Sequence, residues 1–587
     1  MRTLCATFLL AASLAPAQQP QPEEAPTPAR TDVHGVVRNA ATGEPLPRAL
    51  VRIEGDSGIG VLTDGEGRFE LPGVPIGPRI IRVRKPGFND RPYATEDVGY
   101  QGDGPAHSVL VAAEMPDLAF ALTPTSAIHG RIELSSGDPA QGIELTLLKQ
   151  VVSNGRAIWA QNGITKTNGD GAYRFAGLPA GVYALFTKPT LESETAATAV
   201  AAGAKVACAG YPSLFYPEAR EFSGAARIRL AAGQQAEANL LLPLEPFYIV
   251  TATPILPSGK PFEGKGLEQN FFSSEPVLAA SVLDAAGHPL PYKAQFDQSK
   301  GTLQATLPDG AYSLFVELSS RGSNALGQRN SAERASQQPT LLSGYTELSV
   351  DGHTVSSLRI PLIVTPGWPI HVRVVRTNTQ PAQSNSNAGH ELQKLVTVTA
   401  ANAGEAPMDS GSGDTTADES EPEQLEMKGA GQGPHWISVQ LNDRSLCVDS
   451  FSAGGVNLAR EPLNVALGAS PPPMELTLRD DCARLALTLP PMLAAFLPGD
   501  EPFYTVYVVP DFDTTADIPP MTVHPSSGAT LTVDGLTPGS YHIYTFDRPV
   551  RLEYRNPAVL AALPTPGQQV TLSPASTTNL MLDIPGQ

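Results

Sequence analysis

The chain is poor in the residues from which most catalytic and metal centres are built. Its 587 residues hold four cysteines and three tryptophans, and only 17% are charged. No CxxC pair and no Cys/His cluster occurs, which excludes zinc fingers and ribbons. None of the ten histidines opens an H-x-x-E or H-E-x-x-H pattern: Glu391 follows His390, but Lys394 stands where a second histidine is needed. A zinc-bound nucleophile requires three protein ligands and an open position, and that set is missing. There is no G-x-S-x-G elbow, and Ser410 and Ser412 lie in a low-complexity stretch where nothing would position a nucleophile. Pro257-Ser258-Gly259-Lys260-Pro261 lacks the first glycine of a phosphate-binding loop and carries proline where Ser or Thr is required. Carboxylate pairs such as Asp480-Asp481 are expected by chance at surface turns in a chain with 59 acids. The expectation is a protein that is not an enzyme, with no catalytic, cofactor-binding or metal residues.

Long apolar runs are equally scarce. Arg2 precedes an apolar segment from Leu4 through Leu14, followed by the A-x-A pattern Ala15-Pro16-Ala17, which predicts a signal peptide over residues 1–17. The run falls short of the roughly 20 apolar residues that span a bilayer. Cys5 lies inside it, where it cannot become the lipid-bearing first residue of a lipoprotein. No later window reaches membrane-span length, so no transmembrane segment is expected, and the mature chain is placed outside the cytoplasm: periplasmic, outer-surface-associated or secreted. Loss of Arg2 with the signal peptide takes the formal net charge from −19 to −20. Nucleic acid is therefore disfavoured as a partner, because phosphate binding needs a concentrated basic surface. The acidic excess reads as solubility.

What the chain has in quantity is turn-forming residues, 53 Gly and 56 Pro. A turn-and-strand phrase recurs at Gly77, Gly181, Gly310, Gly433 and Gly539, at spacings of 104, 129, 123 and 106 residues. In the clearest copy, Tyr173-Arg174-Phe175 and Val182-Tyr183 flank the turn Gly177-Leu178-Pro179-Ala180-Gly181. Each interval has room for one sandwich-sized β-domain, so the fold class is all-β: a tandem array of about five β-sandwiches. The units are a flexible leader at 18–30, sandwiches at 31–124, 125–245, 246–365 and 366–470, and a C-terminal sandwich at 471–587. The stretches 320–338 and 402–424 are polar and too poor in apolar residues to offset chain entropy, and are read as long loops inside sandwiches.

In the first unit the order of motifs is specific. Gly35-Val36-Val37 is followed by Thr42-Gly43-Glu44-Pro45-Leu46-Pro47 and Ala49-Leu50-Val51, then by Thr63-Asp64-Gly65-Glu66-Gly67-Arg68-Phe69 and the turn from Gly73 to Gly77. This order resembles the carboxypeptidase-regulatory-like domain, closely over residues 32–86, fairly over 127–190, and only in outline further on. The resemblance implies an Ig-like or transthyretin-like sandwich, a fold grouped with carbohydrate-binding-like domains. It implies no peptidase activity, since such domains accompany peptidases without being their catalytic part. Tyr211-Pro212-Ser213-Leu214-Phe215-Tyr216-Pro217, with the apolar strand after it, resembles exported multidomain proteins of soil bacteria such as the Acidobacteria.

Three features are candidate sites. Asp64-Gly65-Glu66-Gly67 and Asn168-Gly169-Asp170-Gly171 superficially resemble calcium loops, but they lack the spaced acids and closing glutamate of such a site, and they suit tight turns. Carbohydrate stacks on exposed rings, and Trp159 with Tyr211, Phe215 and Tyr216 are the candidate platforms, whereas Trp368 and Trp436 are read as packing residues. Three cysteines remain after cleavage, and an oxidising compartment permits one disulfide. Cys447 and Cys482, 35 residues apart across the fourth and fifth units, are the favoured pair, with Cys208 as the competitor for either. Function is expected to be that of a non-catalytic scaffold or adhesion and interaction module of the cell envelope, with a protein or glycan partner. A carbohydrate-binding protein is the alternative, and a hydrolase with its site assembled between domains is a weaker one.

Overall fold

A computed structural model of the chain describes residues 29–54, 60–89, 106–192, 208–263, 276–285, 287–320, 342–365, 367–377, 394–403, 414–417, 424–428, 433–466, 469, 471–489, 504–523, 531–546 and 550–583. The expected signal peptide, the leader through residue 28 and the polar stretch 321–338 lie outside these residues.

The described chain is nearly all β, and one strand arrangement is built five times. In each copy the first strand takes an antiparallel partner and, from the end of the unit, a parallel one. Arg30–Asn39 lies between Arg68–Pro75 and Leu118–Pro124. Ser126–Leu134 lies between Ala172–Leu178 and the pair Gln235–Glu237 and Leu240–Leu242. Glu245–Ile255 pairs with Thr302–Pro308 and Val355–Pro361, and Trp368–Val375 with Gln424–Lys428 and Met474–Arg479. Ala483–Thr488 pairs with Leu531–Leu536 and Thr577–Met581. The opposing strands in each copy are centred on one begun by the recurring glycine: Gly77–Arg84, Gly181–Thr187, Gly310–Ser320, Gly433–Leu441 and Gly539–Phe546.

The parallel closure fixes where each unit ends, and it differs from the expectation at one seam. The fourth unit was expected to stop at 470, but Met474–Arg479 completes it, because Met474, Leu476 and Leu478 alternate into its core. The fifth unit begins at Ala483. The stretch 402–424 also contains more order than its composition implies, since Asp414–Ala417 pairs with Gln424–Lys428. The third unit is a single ten-stranded sheet, because Pro289–Asp297 bridges Pro276–Leu283 and Thr302–Pro308. It also takes in Cys208–Tyr211, which precedes the unit in sequence. Among the described residues no helix is long and apolar enough to cross a membrane.

Strand alternation puts one face of rings inside. Phe69, Tyr173, Phe175, Tyr183, Tyr312 and Tyr541 are all buried. Two residues after the recurring glycine, the side chain reaches back to the carbonyl four positions earlier: Tyr183 to Pro179 at 2.7 Å, Tyr312 to Pro308 at 3.1 Å and Tyr541 to Thr537 at 2.6 Å. In the first unit Arg79 donates through Nε to Pro75 in the same way, at 3.0 Å. In the fourth, buried His435 occupies the slot. The phenol thus fills the core while its hydroxyl satisfies a turn carbonyl that would otherwise lack a donor.

Burial pushes the phenols of Tyr173, Tyr183, Tyr312 and Tyr541 well above their ordinary range, and that of Tyr292 up to about 12. In the unfolded chain these groups ionise near pH 10 or about there. Above that value the unfolded state has lost protons that the fold retains, so stability is full below it and falls as pH rises toward the folded values. Alkaline titration is expected to show the phenolate absorbance of these five tyrosines only together with loss of the β circular-dichroism signal, above about pH 10. Ionisation of all fifteen tyrosines with the β signal intact would contradict this burial.

Candidate functional site

The aromatic residues singled out in the sequence face inward more than expected. Tyr211 ends the strand Cys208–Tyr211, is 7% exposed, and donates its hydroxyl to Glu192 at 2.5 Å. Phe215 is equally buried, with its ring 5.1 Å from Phe186 and 5.5 Å from Phe222. Trp159 is half-buried, edge-on to Phe222 at 5.3 Å, with the Arg227 guanidinium 4.9 Å from its ring. Tyr216 is half-buried against the core of the second unit. Phe215, Phe222 and Trp159 therefore form a satellite core instead of a platform, because the segment carrying Phe215 and Phe222 folds back over the sheet that holds Trp159 and Gly181–Thr187.

The remaining candidates have structural partners. Trp368 is in the core of the fourth unit, edge-on to His435 at 5.2 Å. Asp480 accepts from the backbone N–H and the hydroxyl of Thr377, both at 2.8 Å, and these bonds hold its carboxyl below the usual range. Asp481 is lowered by its bond to Arg479. Asp64 accepts from Glu66 and Arg68 N–H groups, and Asn168 from those of Asp170 and Ala172, so both residues cap their own turns. Among the described residues no group of three His, Cys, Asp or Glu side chains is placed to hold a metal. Cys447 and Cys482 are joined in a disulfide with Cα atoms 5.8 Å apart, and Cys208 is a buried free thiol.

The most elaborate constellation lies where the second, fourth and fifth sandwiches meet. The hairpin of Glu144–Ser153 and Arg156–Lys166 turns at Asn154-Gly155, both with positive φ (46° and 71°), as a two-residue hairpin requires. Its tip is inserted between the other two units. Arg156 lies over the ring of Trp436, 3.4 Å from its centre, and donates to the Ala459 carbonyl at 3.0 Å. Burial, with Arg555 beside it, lowers the Arg156 guanidinium to about 10, which leaves it charged at neutral pH. Arg555 in turn holds both sides: its Nε donates to Asn154 O at 3.2 Å and its N–H to Gly155 O at 3.1 Å, while Nη1 and Nη2 donate to Thr514 O (2.7 Å) and Ala516 O (3.0 Å). The segment 514–517 is itself bonded to the fourth unit, since Val439 N–H donates to Thr515 O at 2.9 Å and Asp517 N–H to Val439 O at 3.0 Å. Beside this clasp lies an open groove of about 460 Å³ whose walls include Arg156, Arg460, Asp511, Phe512, His542 and Tyr544.

Residues 32–106 match the family model of the carboxypeptidase regulatory-like domain. The first sandwich carries that match, and it ends before the closing strand Leu118–Pro124. No curated protein matches the chain. Among solved structures, a streptococcal ancillary pilin is 9% identical, with 57% of this chain and 99% of that chain covered and a TM-score of 0.18. The Bacillus anthracis TIE protein is 10% identical over 76% and 67%, with a TM-score of 0.15. Two B repeat units of the collagen binding protein of Staphylococcus aureus are 12% identical over 72% and 93%, with a TM-score of 0.13. At these scores nothing about function carries over.

The geometry explains why the regulatory-like motifs need their residue types. In the first sandwich Thr63 is buried, donates to Leu46 O and accepts from Ala49 N–H, pinning the turn-rich segment before it. Thr167 does the same in the second, donating to Ala140 O and accepting from Ile143 N–H. The clasp, by contrast, was not anticipated. The sequence reads Trp436 as a packing residue, yet His435 and Ile437 are the buried neighbours, so strand alternation turns Trp436 outward. That signal was in the sequence. The pairing of Arg156 with Ala459, 303 positions away, was not.

Proposed function

We propose that the protein is an exported, non-catalytic interaction scaffold of the cell envelope or the extracellular space. The observation that carries this reading is the clasp: side chains that would be free on an isolated sandwich are spent on fastening the second unit to the fourth and fifth. Arg156 and Arg555 place their donors on backbone carbonyls and a tryptophan face, a use that fixes geometry and performs no chemistry. Five sandwiches of one topology, several of them fastened to one another, present many loops in a defined relative arrangement. Such an object suits holding partners in place, since its cores require no reaction. Export rests on the segment 1–17.

The His542–Asp511 pair in the groove is an arrangement that a hydrolase reading could use, and it gives the test its sharpest form. Peptidase and esterase panels, with and without added zinc, are expected to show no turnover above background. A rate that disappears in His542→Ala would replace the scaffold reading with a hydrolytic one.

A further inference from the structure

We propose that the groove at the three-sandwich junction binds a neutral oligosaccharide. The claim deepens the interaction-scaffold reading by naming a partner class, and it rests on that reading in needing a docked junction. The groove's wall is the outer face of the last sandwich. Along the strand Gly539–Phe546, Tyr541 and Ile543 point into the core, so His542 and Tyr544 lie on the opposite face, where Tyr544 also packs against the small cluster of Tyr507, Val509 and Leu552. Their ring centres lie 6.3 Å apart with planes inclined by 31°, and both rings line the groove. The wall is held rigid from two sides. Asp511 bonds His542 Nδ1. Gly567 lies so close that a Cβ there would stand 2.8 Å from the Tyr544 ring.

The polar groups around the wall are planar and paired. Asp511 and Asp513 are exposed at the groove, and Arg460 forms an ion pair with Asp513. Arg156 and Arg555 already donate to carbonyls, as described above. What is left for a ligand is an aromatic surface bordered by fixed donors and acceptors. A pyranose offers the matching chemistry: a C–H face for ring stacking, and neighbouring hydroxyls that a carboxylate or guanidinium can bond in pairs. Each guanidinium already has a carbonyl or carboxylate partner, and each of the two carboxylates has an arginine or histidine partner, so the groove offers hydrogen bonds without an unpartnered charge, which suits a neutral ligand. A groove of about 460 Å³ is within the usual size of small-molecule sites.

The test is a printed array of neutral, acidic and basic oligosaccharides probed with the full chain, followed by calorimetric titration of the strongest neutral binder. Tyr544→Ala and Asp511→Asn are each expected to weaken binding about tenfold. Asp511→Asn changes an exposed residue, so it keeps the test sound if Tyr544→Ala disturbs folding. Trp159→Ala, in the second sandwich, is expected to leave the affinity unchanged. No neutral saccharide bound at millimolar concentration, a preference for charged saccharides, affinity retained in both groove variants, or affinity lost in Trp159→Ala would each overturn the proposal. Solution scattering of the same samples separates the two readings: an expanded particle counts against the docked scaffold, and a compact one that binds no sugar counts against the groove alone.

Discussion

Gly155→Val is expected to release the second sandwich from the fourth and fifth while leaving each folded. Gly155 has φ of 71°, a left-handed conformation that a β-branched residue adopts only with strain, at a cost of about 1–3 kcal/mol. Its position adds a steric conflict, because a Cβ there would stand 2.6 Å from the Tyr554 ring. Tyr554 cannot simply withdraw, since the next residue, Arg555, is tied by its N–H and side chain to the hairpin and to segment 514–516. The hairpin itself is held by ten register pairs between its strands and need not unravel. Loss of docking would remove the Arg156 guanidinium from the Trp436 face, a contact of about 0.5–2 kcal/mol. Hydrogen exchange is the direct reading: the Arg555 amide should be protected in the native chain and unprotected in the variant, with protection inside all five sandwiches unchanged. Equal protection of that amide in both proteins would show that the tip does not hold the junction.

The second large effect is expected from the disulfide. The Cys447–Cys482 bond closes 35 residues of chain, and it joins the strand Cys447–Ala453 of the fourth sandwich to the residue before the first strand of the fifth. Closing a loop of that length stabilises the folded state by roughly 2–4 kcal/mol. Other seam contacts remain after reduction, among them Thr537 Oγ1 donating to Val448 O at 2.7 Å and the Arg444–Asp534 ion pair. The double variant Cys447→Ser/Cys482→Ser should therefore lower the denaturation midpoint of the last two sandwiches and leave the first three as they were. Reductant should reproduce the effect in the native protein and do nothing further to the variant. A linked peptide containing Cys208, or a native transition indifferent to reductant, would refute this.

Much of the fold was legible because its information is local. The recurring glycines do begin strands in all five units, and the tyrosines two residues on lie where period-two alternation puts them. The seam after 470 was misplaced for a reason of range. Met474, Leu476 and Leu478 read equally well as an opening strand or a closing one, and only their pairing with Trp368–Val375, a hundred residues earlier, decides between them. The candidate site was less legible still. Tyr211 and Phe215 carried the composition of an exposed platform, but neighbouring Phe186 and Phe222 supplied an apolar surface for them to cover. The clasp joins residues from three units, and a hairpin dipeptide such as Asn154-Gly155 announces its turn without announcing what its tip will touch.

The central claim is that the chain is fastened back on itself at the junction of the second, fourth and fifth sandwiches. Small-angle X-ray scattering on the native chain and on Gly155→Val measures this most directly. The predicted result is a native particle with a markedly smaller maximum dimension than the variant, at equal mass and equal β content by circular dichroism. Superimposable profiles, both with the length of sandwiches strung end to end, would contradict it.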